Sequence, residues 1–175
     1  MALKTVYAAF TTKSGLLRAV WDLVLKGDTA DEPVGARQWY LDMLDEPDPS
    51  QQVRLIARNS CAVKRRIGPM LGVIRSAAVV DPDGAALWAL IQSDFPENQR
   101  ALVDAIERHG GLRAGLDAAT AGDILWTLNH PDVWLLLVGE RGWTPEAFED
   151  WLTVALQQQL LGAATPDAPT PPATR

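Results

Sequence analysis

Cysteine occurs once in the 175 residues, at position 61, and a lone thiol excludes an intrachain disulfide framework and a multi-thiolate zinc site. Histidine is nearly as scarce, with only His109 and His130. Each sits at an expected helix boundary, where capping or packing is the reading rather than proton transfer. Long apolar runs are missing: the longest covers residues 133–138, far short of the roughly 18–20 residues that cross a bilayer. The opening residues lack the apolar stretch of a secretory signal, so a reducing cytoplasm is the expected compartment. No segment combines strict alternation, β-branched enrichment and hairpin-turn residues, which excludes a strand-rich fold. A glycine-rich phosphate loop, a Gly-x-Ser-x-Gly elbow and His-Glu-x-x-His are also absent. The acidic cluster Asp42, Asp45, Glu46 and Asp48 has no histidine at metal-ligand spacing, so neither catalysis, a cofactor nor a metal is expected.

What is present is an ordinary soluble-globular balance, 47% apolar and 22% charged, in 19.0 kDa of chain. That is enough for one domain with a substantial core. The net charge of −6 is unevenly spread. Residues 1–26 carry Lys4, Lys13, Arg18 and Lys26 against Asp22, and residues 51–76 carry six bases and no acid, so the remainder is strongly acidic. A local basic segment can still attract a polyanion. The stretch from Arg54 to Arg75 reads as a solvated helix face.

Helix starts recur. Asp48-Pro49, Asp81-Pro82 and Thr144-Pro145 each set an N-cap side chain before a proline whose missing N–H costs nothing in the first turn. Apolar residues follow at three-four spacing after each, and Asp117 opens another stripe through Ala121, Ile124, Leu125 and Leu128. His109 followed by Gly110-Gly111 ends a helix. Pro96 predicts a kink or break near residues 93–96. Leu3, Val6, Tyr7 and Phe10 have helical spacing, Thr11-Thr12 is a turn, and Leu16, Leu17, Val20, Trp21 and Val24 begin a longer helix. The expected fold is all-α, with residues 1–26 as a leading segment, 27–161 as a helical body and 162–175 as a disordered, proline-rich tail.

Thr5-Val6-Tyr7-Ala8-Ala9-Phe10, followed by Lys13 and Leu16-Leu17, resembles the end of the DNA-binding region of TetR-family transcriptional regulators. The body is similar to that of actinobacterial members through Ala77-Ala78 before Asp81-Pro82, Gly111-Leu112-Arg113 before Gly115-Leu116, and Ala121-Gly122-Asp123-Ile124-Leu125-Trp126. Gly142-Trp143-Thr144-Pro145, Trp151-Leu152 and Leu160-Leu161 continue the likeness, which spans residues 2–161. The resemblance implies a ligand-responsive, DNA-binding repressor that is a cytoplasmic homodimer and not an enzyme. In it Lys4 and Thr5 would reach bases or phosphates, and Tyr7 and Lys13 would hold backbone oxygens. The helices that precede this motif in the family do not precede it here, so Met1 reads as a misassigned start or the gene as truncated. Double-stranded DNA would then be bound only with those helices present. The alternative is a stand-alone helical ligand-binding and dimerisation module that does not bind DNA by itself.

Residues 133–138 are apolar without interruption, so a helix there needs cover on more than one side. A two-fold four-helix contact is expected from Trp134, Leu135, Val138, Trp143, Phe148, Trp151, Leu152 and Ala155. An unidentified small apolar or aromatic effector is expected between the central helices, among Trp39, Met70, Ile74, Trp88, Ile91, Phe95 and Trp126.

Overall fold

The computed structural model describes residues 13–27, 32 and 34–162. Seven α-helices are found among them, and no strand. They are α1 (Lys13–Lys26), α2 (Gln38–Asp45), α3 (Pro49–Val80), α4 (Pro82–Arg108), α5 (Ala118–Leu128), α6 (Pro131–Trp134) and α7 (Pro145–Leu160). A 3-10 turn, Val34–Ala36, leads into α2, and α6 runs on as a π-helical turn, Leu135–Glu140. Lys4, Thr5, Tyr7 and the helix expected at residues 3–10 lie outside the described residues, as does the expected tail beyond Gly162.

The expected starts form as the capping chemistry dictates. Asp48 accepts from Ser50 N–H, Asp81 from Asp83 N–H and Thr144 from Ala147 N–H, each with proline in the first turn. Asp117 accepts from Thr120 N–H, which holds the Asp117 carboxyl below its usual range. His130 starts α6, its Nδ1 accepting from Asp132 N–H. Gly110 takes the left-handed backbone, φ 69°, that terminates α4 after His109.

Helices α3 and α4, of 32 and 27 residues, are joined through Asp81 alone and run antiparallel. The first half of α3 (Val53, Ile56, Ala57) meets the last half of α4 (Leu102, Val103, Ile106). The last half of α3 (Leu71, Ile74) meets the first half of α4 (Leu87, Ile91). The break expected at Pro96 does not occur: α4 is continuous through it. Both halves of α4 are locked against one long partner, and that packing outweighs the single hydrogen bond a proline removes. Pro69 is likewise tolerated within α3.

Two apolar clusters result. The larger joins α3, α4, α5 and α7 around Val53, Ile56, Val103, Ile106, Leu125, Phe148, Leu152 and Leu156, all at most 1% exposed. The smaller seats Trp21 of α1 on Ile67, Leu71, Ile74, Leu87 and Ile91. The end of α7 is tied to the α4–α5 connection: Arg113 N–H donates to Leu160 O at 2.9 Å, and Gly162 N–H to Gly111 O at 3.4 Å.

Candidate functional site

A cavity of about 260 Å³ lies where α1, α2, α3, α4 and the α5–α6 corner converge. Its apolar wall comes from Leu25, Trp39, Met43, Val63, Ile67 and Leu102, with Tyr40 and Pro131 beside them. Its polar groups are few: Lys64, Gln99 and Asn129, with Asn59, Ser60 and Arg66.

Lys64 is the unusual member. It falls on the inward face of α3 and is 3% exposed. The reading of the 54–75 stretch as a solvated face therefore holds for Arg54, Arg58, Arg65, Arg66 and Arg75, which are exposed, and fails for this lysine. The helix turns 100° per residue, and a basic residue in phase with Ala57, Cys61 and Leu71 is carried into the core whatever the charge of its neighbours.

The Lys64 Nζ donates to Asn129 Oδ1, and Asn129 Nδ2 donates to Gln99 Oε1 at 3.2 Å. The Phe148 ring lies beneath the amine, 5.7 Å from centroid to Nζ. Among the described residues no carboxylate pairs with Lys64. Burial without a counter-charge penalises the ammonium, and the Lys64 pKa falls from 10.5 to about 7.

Burial favours the neutral form of three groups near it, Cys61, His130 and Tyr40. Burial pushes the Cys61 thiol up to about 11, helped by Glu149, and Sγ donates to Pro145 O at 3.2 Å. Burial also lowers the His130 pKa, against the opposing pull of Asp132. With Nδ1 accepting from Asp132 N–H, the neutral ring carries its proton on Nε2, 3.2 Å from Gln92 Oε1. Burial raises the Tyr40 phenol.

The end of α1 belongs to this wall. Leu25 lines the cavity, and Arg66, which also lines it, donates through Nε to Val24 O at 3.3 Å and through Nη2 to Leu25 O at 3.2 Å. Two backbone carbonyls at the C-terminal turn of α1 are thus held by a side chain of the cavity.

The residues expected to line a pocket are mostly elsewhere. Trp39 does line it and is 42% exposed. Ile74 and Ile91 are buried in the smaller core cluster, and Met70 and Trp88 pack against that cluster. Trp126 stacks edge-on to His130, centroids 4.8 Å apart, with its Nε1 buried and unpartnered. The Phe95 side chain lies outside the described residues. Aromatic and methionine stripes mark helix faces that meet other helices, and here most of those meetings are tight.

The expected interface divides in the same way. Trp134, Phe148 and Leu152 are 5%, 0% and 0% exposed and serve the chain's own core, so they are not free to meet a partner. A ring contact locks the two aromatics there: Trp134 meets Phe148 at 5.0 Å. Leu135, Val138, Trp151 and Ala155 remain half-buried and Trp143 is exposed. Leu136 and Val154, at 51% and 50%, are further exposed apolar residues of the C-terminal elements. Lys13 begins α1, its side chain outside the described residues.

No helix among the described residues is long and apolar enough to cross a membrane, and no group of three or more His, Cys, Asp or Glu among them could hold a metal ion. No family model, curated protein or solved structure matches the chain.

Proposed function

We propose that this chain is the effector-binding and dimerisation body of a TetR-type, DNA-binding transcriptional repressor of the cytoplasm, without enzymatic activity. The observation that carries the reading is the join between cavity and α1. In such a regulator α1 links the body to the DNA reader, and here Leu25 and the Arg66 clasp make the end of α1 part of the cavity wall. A ligand that repositions either one shifts the balance between two settings of α1, and with it the spacing of two recognition helices on successive major grooves. The paired copy meets the apolar face of Leu136, Trp143, Trp151 and Val154 around a two-fold axis. Lys4, Thr5, Tyr7 and Lys13 are the DNA contacts of this reading.

The test is a gel shift on duplex DNA from upstream of the protein's own gene, run at low and high salt, with the 175-residue chain and with its reading frame extended upstream of Met1. The extended chain is expected to retain DNA at low salt and release it steeply as salt rises, because each neutralised phosphate returns a counterion. Failure of both forms to retain DNA overturns the regulator reading.

A further inference from the structure

A buried lysine in a largely apolar wall, with no acid beside it among the described residues, is a half-made ion pair. Lys64 is 3% exposed, and of its three N–H bonds one goes to Asn129. Asn129 is itself tied to Gln99, so its carbonyl is aimed by a second buried amide. These three polar residues come from α3, from the α5–α6 corner and from α4, and all three line the cavity. Asn59, Ser60 and Arg66 add polar edges, and the rest of the wall is apolar, led by Met43, Val63, Ile67 and Leu102.

We infer that the cavity takes an apolar molecule bearing one carboxylate, with the carboxylate paired to the Lys64 ammonium and the hydrocarbon or aryl portion against the apolar wall. The inference rests on the effector-binding reading and supplies the chemical class of its ligand. Size limits the candidate. At roughly 30 Å³ per liquid water, 260 Å³ equals about nine waters, the scale of a short fatty acid or an arylacetate. Charge limits it further. Lys64 is the buried cation of the wall, while the exposed Arg66 guanidinium is engaged by Val24 O and Leu25 O, so a monoanion is matched and a dianionic phosphate would leave its second charge without a buried partner.

The sign of the pH response follows. Without ligand the amine has a pKa of about 7, so near that pH it gains a proton when a carboxylate arrives. The other titratable groups at the site are Cys61 and Arg66 on α3, Tyr40 on α2 and His130 at the corner. Those facing Lys64 from α4 and α7, Gln99 and Phe148, carry no charge. Between pH 7 and 8.5 the Cys61 thiol and the Tyr40 phenol stay protonated and the His130 ring neutral, so Lys64 is the member that titrates. Affinity for the carboxylate therefore falls toward a tenfold loss per pH unit above pH 7, and each ligand bound at pH 8 takes up close to one proton.

The experiment uses the full chain with octanoate, decanoate and indole-3-acetate, each beside its primary amide, and octyl phosphate as the dianion arm. Tryptophan fluorescence gives affinity, and calorimetry in phosphate and Tris buffers gives proton uptake. At least one carboxylate is expected to bind tenfold or more tightly than its amide at pH 7, with proton uptake at pH 8 and weaker binding of the phosphate. Lys64→Met is expected to erase the acid preference while keeping amide binding; if that variant does not fold, the wild-type acid-to-amide ratio and proton uptake decide the matter alone. Equal affinity for acid and amide, tighter binding of the phosphate, or no binding by any probe overturns the inference. Acid-selective binding by a chain that retains no DNA in either form leaves this site standing and removes the regulator reading instead.

Discussion

At the residue scale the decisive fact is Lys64, and its signal is present in the sequence. Val53, Ile56, Ala57, Ser60 and Cys61 mark the inward stripe of α3, and Lys64 falls three residues further in the same phase, followed by Ile67, Leu71 and Ile74. The six bases of the stretch disguise it, because charge runs usually face water. Phase outranks composition here. The consequence for stability has a definite sign. An unfolded lysine keeps a pKa near 10.4, whereas folded Lys64 sits at about 7, so above pH 7 the unfolded chain binds the extra proton and stability rises with pH. The raised Cys61 thiol opposes this above about pH 9, so thermal melts between pH 7 and 8.5 isolate the lysine. Melting temperature is expected to climb across that window in the wild type and to be flat in Lys64→Met. A close approach gives a second residue-scale prediction. A Cβ at Gly68 would lie 2.9 Å from Trp134 Nε1, and Trp134 is held by its own ring contact with Phe148. Gly68→Ala is expected to lower stability by about 1–3 kcal/mol in urea denaturation.

At the scale of elements the helix starts were legible because capping is local chemistry. An aspartate or threonine before a proline fixes the first turn with atoms two or three residues apart, as at Asp48, Asp81 and Thr144. Thr144→Ala, which deletes the 3.1 Å bond from Ala147 N–H, is expected to cost about 1 kcal/mol in the same denaturation assay. The continuity of α4 was not legible, because a proline's local cost is known from sequence but the packing that offsets it joins residues far apart. Leu102, Val103 and Ile106 bind the second half of α4 to the opposite end of α3. The site was hidden for the same reason: Asn129 lies 65 residues from Lys64 and 30 from Gln99, and no spacing rule joins them. Core membership of α7 carries a larger number than its cap. Leu152 is wholly buried, and Leu152→Ala is expected to cost about 2–5 kcal/mol.

For the whole molecule, burial separates the apolar C-terminal residues into two groups that sequence treats alike. Phe148 and Leu152 face inward, while Leu136 and Val154 stay about half exposed and Trp143 packs edge-on to Trp151 at 6.2 Å. An all-helical body with this outward aromatic face predicts a sedimentation mass near twice 19.0 kDa at micromolar concentration. Val154→Glu is expected to halve that mass without changing the melting temperature by more than about a few degrees, since the side chain already meets water. Beneath the proposed ligand site lies one physical premise, that the Lys64 amine is held in the wall of a largely apolar cavity without a carboxylate partner among the described residues. The most direct measurement is an NMR titration of the Lys64 ε-carbon in lysine-labelled protein, assigned by its disappearance in Lys64→Met. A midpoint near pH 7 that moves upward when octanoate is added is the predicted result. A midpoint in the ordinary lysine range near pH 10.4, unmoved by octanoate, would contradict the account.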